Sequence, residues 1–426
     1  MDYVKYKIMK IMWLCNTPTK NVAKAFHLPQ PAQGGWLRSV SEALEENQNI
    51  QFVFIIPNVK GQQGRIYKEC GNSLYIATNV SALTDEEMIH AFAEIIEEVK
   101  PDIIHIWGTE YKHSYAMAMG AKKQMMLNRV VVSIQGMVGM IAQHYMGGIP
   151  AKYQLVPSFR DILRKDTLKI QQRSLEYRGA YEKKIVEVVQ HVIGRTFWDE
   201  ACVKLINPNV KYHFNNETLR EEFYSSQWNY EECEKHSIFV SQSHYPIKGF
   251  HYLLKAVALI KDRYQDIKIY ISGYDNALKP GVLVTAYGKY IQYLIKKYKL
   301  SSNIHYVGML NAEEMKKQFL KSEVFVSPSV IENSPNSVGE AMLLGMPVIA
   351  ANVGGVATML RHEKEGYLYQ ADAPYLLAYY ICQFFEDRQK EKEFGQNARI
   401  HAQRTHDKDK NIKELIEIYE KIVAER

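Results

Sequence analysis

The chain has 426 residues, with 53 Lys and Arg against 47 Asp and Glu, 46% hydrophobic and 23% charged residues. This length exceeds one ordinary core and implies two domains of a globular protein. A net charge of +6 gives no support to a nucleic-acid partner, though an anionic ligand or an anionic membrane surface remains compatible with it. The five cysteines, Cys15, Cys70, Cys202, Cys233 and Cys382, are scattered without a CxxC pair, which points to a reducing compartment and away from a zinc site.

In chain order, the apolar run Ile11–Cys15 is too short for the core of a signal peptide, and Ile8–Cys15 is expected as the first buried strand. Further buried-strand runs are Phe52–Pro57, Ile103–Ile106, Val130–Ile134 and His191–Ile193. Helical spacing marks Leu37–Glu46, Asp85–Val99 and Tyr115–Leu127 between them. Residues 157–190 are expected as one long amphipathic helix, Phe159, Ile162, Leu163 and Ile170 on one side and Arg160, Arg164, Lys165, Lys169 and Arg173 on the other. A solvated face and a membrane-surface contact are both open for it.

The polar stretch 207–235 is the expected linker between a first domain, 1–206, and a second, 236–405. The second repeats the alternation, with strands Ile238–Ser241, Ile267–Ser272, Ile304–Val307, Val324–Val326 and Val348–Ala350 and helices Phe250–Arg263, Val284–Tyr298 and Glu313–Leu320. Residues 406–426 are expected as a C-terminal helix, and whether it packs back on the first domain is left open by the pattern. Two series of βα units imply two doubly wound parallel sheets. No stretch approaches the roughly 20 apolar residues of a membrane span, so a cytoplasmic location is expected, with peripheral attachment left open. No G-x-G-x-x-G follows the first strand and no P-loop spacing occurs, which disfavours nicotinamide and P-loop chemistry. No metal-ligating cluster is visible, so neither metal nor cofactor is expected.

The stretch VSPSVIENSPNSVGEAMLLGMPVIAANVGG, residues 326–355, concentrates the chemistry. A strand ends at Ser327-Pro328-Ser329, and a helix is expected from about Ser337 to Leu344, because Ser337 and Glu340 fit a capping box. Gly345 and Pro347 stop it. The loop thus sits at the carboxyl end of a strand, where doubly wound sheets bind ligands, and the helix start suits phosphate. A purely local role for Glu332 and Glu340 is the plain alternative.

These residues resemble the retaining glycosyltransferases of the GT-B fold, family four, over essentially the whole chain. Glu332 and Glu340 match the E-x7-E element, Phe239-Val240 through Lys248-Gly249 the strand and loop that bring a lysine to the donor diphosphate, and His305-Tyr306-Val307-Gly308 the strand end beside the base. Gln33-Gly34-Gly35-Trp36 resembles the glycine-rich loop of the first domain. The resemblance implies two Rossmann-like domains facing a cleft, Glu332 on the donor sugar, Glu340 on the ribose, and the N–H groups of Ser334, Asn336, Ser337 and Val338 with Lys248 against the diphosphate. Gly308 would flank the nucleotide. Attack from the leaving-group side would retain configuration without a protein nucleophile.

The sequence departs from the family at Ser243, where many members carry an arginine, and at Gln135, where many carry a histidine. Arg195 is a candidate substitute for the arginine. Glu110 and His113, after a strand end of the first domain, are candidates for acceptor or sugar contact, together with Gly34, Gly35 and Gln135. The resemblance implies transfer from a nucleotide sugar, with a UDP-sugar preferred, to a glycan or lipid-linked acceptor in bacterial surface polysaccharide biosynthesis. A non-catalytic nucleotide-sugar-binding protein, or another GT-B enzyme such as an epimerase or a soluble glucoside synthase, is the alternative.

Overall fold

The computed structural model describes residues 8–29, 35–274 and 281–425. The chain divides into two units, one made of Met1–Gly139, Tyr177–Thr218 and Asp407–Arg426, the other of Met140–Glu176 and Leu219–His406.

The first unit holds β1 (Met9–Leu14), β2 (Ile50–Ile56), β3 (Ile66–Cys70), β4 (Ser73–Ala77), β5 (Ile103–Trp107), β6 (Val130–Ser133), β7 (His191–Gly194) and β8 (Lys211–Phe214). They form one sheet in the order β3-β4-β2-β1-β5-β6-β7-β8, parallel except for the β3–β4 hairpin. The central strands are buried on both faces, which is why they read as unbroken apolar runs. The helix Lys408–Ala424 belongs to this unit and buries Leu415, Ile418, Tyr419 and Ile422, at one-face helical spacing, in its core. Each such burial contributes about 1.5–3 kcal/mol. Tyr419 also binds Trp13 Nε1 at 3.1 Å and His105 Nδ1 at 2.5 Å, so His105 is a core residue.

The second unit holds β9 (Glu234–Val240), β10 (Lys268–Ser272), β11 (Ile304–Gly308), β12 (Ser322–Ser327), β13 (Val348–Ala351) and β14 (Tyr367–Tyr369), in the parallel order β11-β10-β9-β12-β13-β14. Its core lies on the two faces of that sheet, under the helices Phe250–Ile260 and Pro374–Glu386 on one side and Asn336–Leu344 on the other.

Three expectations are corrected. Residues 207–235 are not a plain linker: Lys211–Phe214 pairs with β7 as an edge strand of the first sheet, and the second unit resumes at Leu219. Residues 157–190 are two helices, Phe159–Leu163 and Leu168–Val188. Between them Lys165 takes a φ of 52°, a left-handed conformation that a continuing helix cannot hold, and the Thr167 hydroxyl accepts the N–H of Ile170. Residues 140–176 lie in the second unit rather than the first.

Candidate functional site

Each sheet has one topological switch point, and Lys248 and Glu332 lie at one and Glu110 and His113 at the other. In the second sheet the chain runs outward from β9 through β10 to β11, then returns to the other side of β9 as β12. The loops after β9 and β12 therefore diverge from neighbouring strand ends and leave a crevice, the place where doubly wound sheets take ligands. The first loop carries Lys248 and the second Glu332.

Backbone contacts lock these loops together. Val330 N–H donates to the Ile247 carbonyl at 2.7 Å. Gly249 has a φ of 66°, and a Cβ there would stand 1.7 Å from the Pro328 carbonyl oxygen, so only glycine lets the lysine loop approach this closely. On the far side Gly354, at a φ of 51°, lies against the Glu332 carbonyl, which accepts the Gly355 N–H at 3.1 Å. The result is an ion pair: Lys248 Nζ donates to Glu332 Oε1 at 2.5 Å, and the Ser329 hydroxyl donates to the same oxygen at 2.9 Å. Both side chains remain partly exposed, at 25% and 15%. An ammonium has three donors, so Lys248 keeps two for an anionic ligand.

The helix Asn336–Leu344 starts beside this pair, capped by Pro335 with no side-chain hydrogen bond. This corrects the expected capping box. Ser337 lies inside the helix, and Glu340 is held elsewhere: Arg220 Nε and Nη2 donate to its two oxygens, each at 2.6 Å. Glu340 is 3% exposed. Burial pushes its carboxyl up from the ordinary value, and the Arg220 guanidinium pulls back against that shift. Each carboxylate oxygen retains a second lone pair for a ligand hydroxyl. The Val338 N–H, expected to meet phosphate, donates to the Pro335 carbonyl at 2.9 Å. Gly308, φ 81°, ends β11, and its carbonyl accepts the Gly273 N–H at 2.8 Å. Ser334 lies between Glu332 and the helix.

Two neighbours add to the electrostatics. Ser243 is buried, at 4% exposure, and supplies no charge. His244 packs against Tyr245 with the rings tilted by 44°, and burial, followed by the Lys248 charge, lowers its pKa to about 4, so it is a neutral ring at pH 7.

In the first unit the switch point lies between β1 and β5. A cavity of about 400 Å³ opens there, lined by Asn16, Asn58, Glu110, Lys112, His113 and Arg178 among others. Glu110 and His113 are thus brought together. Burial lowers the His113 pKa to about 3, so the ring is neutral, and it stacks on Tyr111 with Nδ1 3.4 Å from Asn58 Nδ2. Burial raises the Glu110 pKa, opposed in part by Arg178.

Gln135 and Arg195 are not in that cavity. Gln135 donates to Glu217 Oε1 at 3.0 Å, and Arg195 forms an ion pair with the same carboxylate. Arg195 is 8% exposed and committed within the first unit, which answers its charge without a ligand. Gly35 begins the helix Gly35–Glu46, and Gly34 lies outside the described residues. Sequence reasoning missed Arg220, Ser329 and the cavity residues Asn16, Asn58, Lys112 and Arg178. Arg220 finds its partner 120 residues away, and Ser329 only three, but no local pattern marks any of them as site residues.

Residues 221–401, which lie within the second unit, match the model of the family described as Glycosyl transferases group 1. An uncharacterised glycosyltransferase of Methanocaldococcus jannaschii is 24% identical over 258 residues, 58% of this chain and 62% of its own. A D-inositol 3-phosphate glycosyltransferase of Corynebacterium urealyticum is 26% identical over 175 residues, 41% of this chain and 40% of its own. The chain therefore spans less than two thirds of either relative. Among solved structures, sucrose-phosphate synthase from Thermosynechococcus elongatus aligns with a TM-score of 0.70 at 16% identity, covering 98% of this chain and 100% of that one. Anabaena HepE in complex with UDP-glucose aligns at 0.63 and 14% identity, covering 97% and 100%. At these identities the likeness is one of fold, two parallel-sheet α/β units of the GT-B type.

Proposed function

We propose that the protein is a retaining glycosyltransferase of family four that moves a sugar from a nucleotide sugar, a UDP-sugar foremost, to a glycan or lipid-linked acceptor of bacterial surface polysaccharide biosynthesis. The observation that carries this reading is the Lys248–Glu332 pair, set beside a helix start at the switch point of a sheet in the segment that matches the family. The UDP-glucose bound by HepE, a protein of the same fold, favours the uridine nucleotide.

The assigned chemistry follows from these groups. The bond between the anomeric carbon and the diphosphate oxygen breaks, and negative charge grows on the leaving group. Lys248 and the N–H groups of Asn336 and Ser337 stabilise that charge without reorganising. Glu332 faces the sugar, which gains positive character, and Glu340, steadied by Arg220, takes the ribose hydroxyls. An acceptor hydroxyl bonds to the anomeric carbon on the departing side and gives its proton to a diphosphate oxygen, and acceptor binding is assigned to the cavity of the first unit. Glu110, Lys112, His113, Asn16, Asn58 and Arg178 offer that cavity the mixed donors and acceptors that a polyhydroxylated acceptor needs.

A non-catalytic nucleotide-sugar binder is the second reading, favoured by the uncharged Ser243 and the committed Arg195. A thermal-shift screen over UDP-, GDP- and ADP-sugars, followed by an assay for free UDP with candidate acceptors, separates the two. UDP-sugar stabilisation with steady, acceptor-dependent UDP release supports transfer. Stabilisation without release identifies a binder, and no response to any nucleotide sugar overturns both.

A further inference from the structure

The segment from Lys152 to Arg173 of the second unit has no part in the reaction above. Its helices Ala151–Leu155 and Phe159–Leu163 leave Leu155, Val156, Phe159, Ile162 and Leu163 in solvent, with Leu155 79% and Leu163 72% exposed. Single exposed apolar residues are ordinary, but five between residues 155 and 163 form a patch, and patches mark contact surfaces.

The polar side of the same segment is tied down. Asp161, 2% exposed, accepts the N–H of Ala286 at 2.6 Å, at the start of the helix Ala286–Tyr298. Arg160 reaches both Asp161, at 3.1 Å, and Asp166, at 2.6 Å. The apolar tips are thus held outward on a fixed base. That bridge also occupies both acidic residues of the stretch. Lys152, Arg164, Lys165, Lys169 and Arg173 remain, all exposed, as an unbalanced positive fringe.

We propose that this segment docks the protein onto an anionic phospholipid surface. Apolar side chains flanked by lysine and arginine suit the boundary between headgroups and acyl chains. A second copy of the chain would bring two positive fringes together, which is repulsive. No described helix is long and apolar enough to cross a membrane, so the contact is peripheral.

The test is co-sedimentation of the full protein with phosphatidylcholine vesicles, with and without phosphatidylserine, at low and high salt. Binding is expected only with phosphatidylserine and weakens with salt. Each basic residue near such a surface contributes about fivefold in partition, so Arg164→Gln with Lys165→Gln should weaken binding about 25-fold. Leu155→Ser with Leu163→Ser should weaken it at least about tenfold, with melting and UDP affinity unchanged, because both side chains are exposed and outside the nucleotide site. Failure of the parent to sediment with anionic vesicles at low salt overturns the proposal, as do variants that bind like the parent. A dimer in solution that Leu155→Ser with Leu163→Ser dissolves reassigns the patch to self-association and overturns it too. UDP titration, read separately, keeps this result distinct from failure of the proposed transfer reaction.

Discussion

Arg220→Met isolates the partner that holds Glu340. Methionine keeps an apolar stem over Phe223, whose ring centre lies 4.8 Å from the guanidinium, and removes only the charge and its donors. Glu340 would then be a carboxylate at 3% exposure with neither of its two 2.6 Å bonds. Removing one partner of a buried pair costs about 3–5 kcal/mol. Arg220 keeps 28% of its side-chain exposure, so the lower end, about 3 kcal/mol, is expected. The deficit should depend on pH. Without Arg220 the folded-state pKa of Glu340 rises further above its unfolded value, so the variant loses stability as pH rises through the range between them. Urea unfolding of parent and variant at pH 5 and pH 8 should show the larger gap at pH 8, and adding Glu340→Gln should recover most of it. A loss under about 1 kcal/mol at pH 8, or a double variant no more stable than Arg220→Met, would refute the argument that the pair is a buried charge held in place.

Three further outcomes are expected. Gly249→Ala should lose well over 2 kcal/mol and its UDP affinity, since a Cβ meets the Pro328 carbonyl at 1.7 Å, while Gly61→Ala, at a φ of 77° with nothing within 4 Å, should lose only about 1–2 kcal/mol in the same melting experiment. Burial raises the Glu182 pKa to about 7, so this buried residue favours the folded state most at low pH and loses that contribution as pH rises from its unfolded value through 7. Glu182→Gln should therefore flatten the stability profile across that range, and an unchanged difference between parent and variant at every pH would contradict the shift. Finally, Glu332→Ala should lower kcat strongly with UDP affinity nearly unchanged, and Glu340→Ala should weaken donor binding about 10- to 100-fold; parallel UDP titration and transfer assays check the split.

The buried strands were legible because parallel strands covered on both faces carry near-continuous apolar runs, as in residues 52–56 and 324–326. The edge elements were not. Ile66–Cys70 is mostly exposed and Lys211–Phe214 carries charge, so neither has an apolar run to reveal it. Tyr367–Tyr369 is only three residues long. In the site, Lys248 and Glu332 were legible through the resemblance of their loops to a known family; the local punctuation at Pro328 and Pro335 marks only a loop at a strand end. The capping-box pattern of Ser337 and Glu340 misled because a distant arginine outcompetes a local cap for a buried carboxylate. The break in 157–190 had a signal after all: Asp166-Thr167 is a helix-start pair, but the continuous helical spacing of the apolar residues masked it.

The central claim is that the second unit binds the nucleotide sugar at the loops after β9, β11 and β12. Hydrogen exchange of the full protein, followed by mass spectrometry with and without saturating UDP-sugar, tests it most directly. Slowed exchange is predicted in residues 243–250, 305–309 and 330–340, with the protection at 330–340 reduced in Glu340→Ala. Unchanged exchange in all three segments while the ligand is bound, or protection confined to other parts of the chain, would contradict it.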